Sequence, residues 1–214
     1  MRRLLILIIV IVVLLIGLDV GSRLVTQYAA SRGLETTLGL DERPAVSLGG
    51  FPFLPRLLSG NLPSVTVHVG KDEVQGVSIQ RANLALDDVR FSAGDLLGRS
   101  EGTIHARSGT GEAVVDGATV PATILGQRVP LHVRFEGSRT LVSAEGFPGS
   151  IAVSPEIDDQ GDLVLRPEGG LLPVSVTVQL PQLIDGIHYR SLDVRDGKAT
   201  LTFEVADADV PCCG

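Results

Sequence analysis

Hydrophobic positions change period along this chain. From Leu4 to Leu18 there is no period at all: the sequence LLILIIVIVVLLIGL follows Arg2 and Arg3 without a polar side chain. As a helix the run is about 22 Å long. That is long for a signal-peptide core and short of the roughly 20 residues of a full membrane span. Two readings fit, an uncleaved anchor and a removed signal. In both, Arg2 and Arg3 stay in the cytoplasm and the rest of the chain is exported. From Asp19 to about Leu40 the period becomes helical. Val20, Leu24, Tyr28, Leu34 and Leu38 fall mostly at helical spacings, with Arg23, Gln27, Arg32 and Glu35 between them. The pattern predicts an amphipathic helix leading out of the membrane segment, with Asp19 as its N-cap or first-turn anion.

After Arg43 the period is two. SVTVHV (64–69) alternates strictly, with Val65, Val67 and Val69 on one face. VSIQRANLAL (77–86) changes phase, which predicts a bulge near Gln80 and Arg81. Further strands are expected at 103–107, 129–135, 140–144, 151–153, 163–166, 174–180, 189–195 and 198–205. Asp196-Gly197 between the last two is a strong hairpin signal. DDQGD (158–162) reads as another turn, and FSAGDLLGR (91–99) as a turn with a helical element. A short helix is expected near Ala118–Leu125, weakened by Pro121. There is no βαβ rhythm, so the sheet should be antiparallel. The division is a membrane or signal segment (1–18), one α+β domain (19–206) and a tail (207–214).

Charge removes several function classes. The net charge is −7 with only two lysines, Lys71 and Lys198, so the basic stripe of a nucleic-acid-binding protein is absent. His68, His105, His132 and His188 each stand alone in strand-like context, away from metal-ligand spacings. An EF-hand starting at Asp158 fails at Gln160 and Gly161. No phosphate loop occurs. No metal or cofactor is expected, and no enzyme activity. Cys212 and Cys213 end the chain as PCCG; a vicinal or intermolecular disulfide and a tail with free thiols are the alternatives.

One segment fits none of these patterns. GGFPFLPRLLSG (49–60) carries two of the six phenylalanines, yet Pro52 and Pro55 oppose both a helix and a central strand. It is expected to be an apolar turn that closes one end of a groove or meets a bilayer. This block, the apolar anchor, Asp19, the amphipathic helix, VTVHV, QLPQL and ATLTFEV together resemble the LmeA-like phospholipid-binding proteins of the actinobacterial cell envelope. The resemblance spans roughly Leu4 to Val205. It implies a tubular, BPI-like half-barrel in which a curved antiparallel sheet wraps the long helix. It also implies non-catalytic binding of phospholipid, notably phosphatidylinositol, and support of envelope glycolipid (lipomannan) maturation. The implied site is an apolar groove between helix and sheet. Leu24, Tyr28, Phe51, Phe53, Leu54, Leu57 and Leu58 are its candidate lining, with Arg56 near the headgroup. Implied partners are phospholipid, the membrane and envelope glycolipid biosynthesis proteins, on the outer side of the cytoplasmic membrane. The alternative is an anchored, β-rich interaction module with a filled core.

Overall fold

A computed structural model of the chain describes residues 2–74, 76–92, 102–124, 127–144, 149–158, 160–168, 176–178 and 186–212. The apolar run and the amphipathic segment form one helix, α1 (Arg2–Leu38). The start expected at Asp19 is therefore corrected. Gly17, Gly21 and Gly33 meet no neighbouring atoms, so they lower helix propensity without breaking the helix. Beyond Leu18 the polarity of α1 is inverted. Its covered stripe is Asp19, Ser22, Thr26, Ala30, Ser31 and Leu34, and Val20, Leu24, Val25 and Tyr28 point outward. After Leu38 the chain is tied down by Asp72, whose buried carboxylate accepts the Asp41 and Glu42 amides at 3.0 and 3.3 Å.

The misfit segment folds as a second helix, α2 (Phe53–Ser59), entered through a cis Phe51-Pro52 peptide. This corrects the expectation of a turn. The prolines do not break α2 because of where they fall. Pro52 is the N-cap and Pro55 the third helical residue, positions whose amides have no intrahelical acceptor. The orphan Leu54 amide donates to Asp19 Oδ1 at 2.7 Å, so α1 supplies the cap that α2 lacks in its own sequence. Gly60 ends α2 in the left-handed conformation, φ 69°.

Every strand joins one antiparallel sheet. The strands are β1 (Ala45–Leu48), β2 (Asn61–Val69), β3 (Asp72–Val74), β4 (Val77–Arg90), β5 (Gly102–Ile124), β6 (Gln127–Glu136), β7 (Arg139–Ala144), β8 (Ile151–Ile157), β9 (Leu163–Pro167), β10 (Val176–Val178), β11 (Ile187–Arg195) and β12 (Lys198–Cys212). The path runs β1-β2-β4-β5-β6-β7-β8-β9-β10, with β3 on β4 and the hairpin β11-β12 on β5. β5 is the spine. One of its edges pairs with β4; along the other, β12 covers 102–115 and β6 covers 117–124. The two turn tips meet where β6 and β12 abut, with the Gly197 amide donating to Gly137 O at 2.9 Å.

Several expectations hold. The β4 bulge lies between Ser78 and Arg81. Asp196 and Gly197 both take positive φ in the β11-β12 turn. Asp158 Oδ1 accepts the Gln160 and Asp162 amides in a polar tip. Others are corrected. Ala118–Ile124 is strand, with Pro121 opposite Pro130, so both missing amides fall in one row. β12 continues past Val205 to Cys212, pairing with Thr103 and Gly102 where a tail was expected. The helical element expected within 91–99 lies outside the described residues from position 93, as do QLPQL and Cys213.

The sheet changes face along a single row. Leu62, Val89, Ala106 and Ala208 lie side by side across β2, β4, β5 and β12, and Val65, Leu86, Gly109 and Val205 do the same. Both rows face one core although they are three positions apart, not two. Asp88 and Asp207 absorb the odd residue with φ of 50° and 46°, a conformation Asp tolerates better than most side chains. By register both flank Arg107, which bridges to Asp88 at 3.4 Å. The switch gathers a first core from β1, β2, β4, β5, β12 and α2, with Phe53 fully buried in it and Ala30 and Leu34 of α1 against it. A second core, Val120, Leu131, Val133, Val153, Leu163 and Leu165, lies at the far end of β5. α1 packs on β1 and α2, at the first-core end of the sheet.

Candidate functional site

The sequence-predicted site residues separate into two groups. Phe53 is 0 % exposed at the centre of the first core, and Leu57 packs against that core. Leu54 is half-buried, with its amide on Asp19. Phe51, Leu58, Leu24 and Tyr28 instead point outward, at 73, 70, 61 and 55 % exposure. Tyr28 lies beneath the Arg43 guanidinium, 5.0 Å from the ring centre, and Glu35 holds Arg43 at 2.8 Å. Arg56 is exposed in the last turn of α2, with its stem over Gly50. Among the described residues it has no carboxylate partner.

Sequence reasoning missed a larger apolar surface on the sheet itself. On the face that carries the first core, the next two rows contain no charged side chain. One row is Val67, Leu84, Gly111, Phe203 and Tyr189; the next is Val69, Ala82, Ala113, Leu201 and Leu192. All are half-buried, unlike the rows on either side that hold Leu86, Val205 and Ala199 in full burial. They form an apolar strip joining the two cores across β2, β4, β5, β12 and β11. Gly111 is what lets it lie flat: a Cβ there would fall 2.1 Å from the Phe203 ring. Phe203 in turn meets Tyr189 edge-on, ring centres 6.0 Å apart. The signal was present in the sequence, since SVTVHV and ATLTFEV each put their apolar residues on one face. What was missing was the strand order that brings those faces together.

Burial holds the Tyr189 hydroxyl above the ordinary tyrosine range. The neutral phenol is thus favoured by folding, and its contribution to stability is full below about pH 10 and lost as pH rises through the folded value. Ligand that covers the strip should raise that value further. In a Tyr28→Phe background, titration of phenolate absorbance should show Tyr189 ionising later with an apolar ligand on the strip than without. An unchanged midpoint would place the ligand elsewhere.

The opposite face of these strands is polar. A shallow cavity of about 590 Å³ lies between β2, β4, β5, β12 and β11, lined mostly by residues of this face and also by Leu84, Gly111 and Phe203 of the strip. Its groups satisfy one another across strands: His68 with Asn83 at 2.6 Å and Arg190 with Glu204 at 2.7 Å. His105 and His132 are held the same way, by Asp209 at 2.9 Å and Thr119 at 3.1 Å. Among the described residues, no group of His, Cys, Asp and Glu is placed to hold a metal ion.

A charge-free strip between two cores is suited to acyl chains. The model of the LmeA-like phospholipid-binding family matches residues 17–204. The chain belongs to this family. Comparison with curated proteins and with solved structures gives no match. The LmeA-like match takes in α1 from Gly17 onward, α2, β1 to β11 and the first residues of β12 (198–204), and so covers the strip, the second core and all of the first core except Val205 and Ala208. It begins at Gly17, within the apolar run.

Proposed function

We propose that this protein is a non-catalytic phospholipid carrier of the cell envelope, held by α1 on the outer side of the cytoplasmic membrane. Acyl chains lie along the strip of Val67, Leu84, Leu201 and Phe203, and Leu54 and Leu57 flank the end nearest α2. The observation that carries this reading is that strip, apolar and half-exposed between two closed cores. Each buried methylene contributes about 0.8 kcal/mol, so a chain of ordinary length is retained without a specific polar contact. Arg56 supplies a charge-assisted hydrogen bond to the phosphate. A phosphatidylinositol-type lipid and a role in envelope glycolipid (lipomannan) maturation or lipid transfer follow from the family resemblance. Glycolipid biosynthesis proteins are the corresponding partners.

The test is lipid extraction and mass spectrometry of the purified protein, with uptake of fluorescent phosphatidylinositol, phosphatidylglycerol and phosphatidylethanolamine. Phospholipid should co-purify, and phosphatidylinositol should be taken up best. Leu84→Gln and Leu201→Gln should each weaken uptake about tenfold, the loss of some two methylene contacts. Absence of both co-purified lipid and uptake would leave a filled-core interaction module in its place.

A further inference from the structure

The apolar side chains of α1 and α2 that turn away from the protein have no role in the strip. We propose that the base of the folded domain is itself seated in the outer leaflet of the bilayer. In this seat Val20, Leu24, Val25 and Tyr28 of α1, together with Phe51 just before α2 and Leu58 within it, are in contact with lipid. The proposal rests on the anchor reading given above.

Length is the first argument. The all-apolar run Leu4–Leu18 covers about 22 Å, and the hydrocarbon core is about 30 Å thick. Roughly five more residues are needed, which puts the outer boundary near Leu24. The outward face of α1 continues apolar through this depth, with Val20, Leu24 and Val25 all exposed. Tyr28 follows one turn later, at the level where tyrosine rings concentrate.

Satisfaction of polar groups is the second. A polar group at hydrocarbon depth must find its partner inside the protein. Asp19 is buried with Oδ1 on the Leu54 amide, Ser22 Oγ donates to Asp19 O, and Thr26 Oγ1 donates to Ser22 O, both at 2.8 Å. The inverted polarity of α1 is what a helix needs when protein covers one side and lipid the other.

Depth is the third. The Asp19–Leu54 bond fixes α2 at the level where the all-apolar run ends. Phe51 and Leu58, the most exposed large apolar side chains beyond α1 among the described residues, therefore lie in the plane of the leaflet. With a net charge of −7 the protein gains nothing from an anionic surface at long range, so the contact is apolar. Arg23, without a carboxylate partner among the described residues, lies beside Leu24 at the boundary, where it meets phosphates.

The experiment uses the full chain with Cys212→Ser and Cys213→Ser, reconstituted in phosphatidylcholine vesicles containing spin-labelled lipid. Single fluorescent labels are placed through Leu14→Cys, Leu58→Cys or Ser191→Cys. Labels at 14 and 58 should lose most of their fluorescence and the label at 191 none, with no change at high salt. Quenching at 14 without quenching at 58 overturns the seat and leaves the anchor standing. No quenching at 14 overturns the anchor, and position 58 then decides the seat by itself. Oxidative cross-linking of Leu58→Cys into a dimer, in place of quenching, would assign this face to a second copy of the chain and also overturn the proposal.

Discussion

Phe53→Ala should be the most damaging single truncation in the chain's misfit segment, and Phe51→Ala nearly silent. The two phenylalanines are two residues apart and were expected to act together. Phe53 is fully enclosed by the first core, among Val46, Leu48, Leu62 and Leu86. Removing its ring takes away burial and leaves a cavity that helix and strands cannot both close. Such truncations cost about 3–5 kcal/mol, a large part of the 5–15 kcal/mol typical of a whole domain. Phe51 is 73 % exposed, and its truncation should stay within about 0.5 kcal/mol. Chemical denaturation of the detergent-solubilised chain, followed by circular dichroism, gives both values. Phospholipid uptake measured beside it separates two roles for the segment. If Phe53→Ala loses uptake only in proportion to its unfolded fraction, Phe53 is a wall of the core. If uptake vanishes while the midpoint holds, Phe53 touches lipid and the placement of the ligand on the sheet strip is wrong. Equal destabilisation by Phe51→Ala would mean that the exposed ring packs against something, and would count against the membrane seat.

How far the sequence reveals this architecture depends on whether a feature is local. Alternation found β2, β4, β11 and β12 because each residue there answers to its own strand's pleat. Asp196-Gly197 and the β4 bulge, expected near Gln80 and Arg81 and found between Ser78 and Arg81, were legible for the same reason. The face switch at Asp88 and Asp207 was not: a left-handed residue inside a strand makes both Leu86 and Val89 point inward, and that reads as broken alternation. α2 was hidden because proline is a breaker only when its amide is needed, and the register of a helix that decides this is not written in the segment. Its cap, Asp19, is supplied from 35 residues away. α1 misled in the opposite sense. Its period was correct, but which face would be covered depended on where α2 and β1 pack against it. The candidate site was half legible accordingly. The candidate residues of 51–58 divide between the first core and the outward surface, a split set by the register of α2, while the sheet strip required knowing that β5 lies between β4 and β12.

Gly60→Ala should be as costly as the loss of Phe53, for a reason that lies wholly in the backbone. Gly60 closes α2 at φ 69°. Its amide returns to Leu57 O at 3.2 Å, and its carbonyl accepts the Phe91 amide at 2.9 Å. The helix end is thereby clamped to the end of β4, next to the row where Leu62 and Val89 enter the first core. A Cβ at this position would fall 2.0 Å from the Phe91 carbonyl oxygen. No rotamer relieves that contact, because both partners are main chain. The methyl group forces either α2 or β4 to move, which breaks the Phe91 bond and loosens Phe53 behind it. Left-handed strain of about 1 kcal/mol, a lost hydrogen bond of about 1 kcal/mol and overpacking of about 1–3 kcal/mol together reach roughly 3–5 kcal/mol. Gly39→Ala is the matched control. Gly39 also has positive φ, 64°, at the end of α1, but a Cβ there meets no atom within 4 Å. It should show the strain alone, about 1 kcal/mol. Equal effects at the two sites would mean that Phe91 yields freely and that α2 is not clamped to the sheet. A large difference, with the Leu58 label at the same time losing its quenching by membrane lipid, would show that this clamp sets the depth of α2.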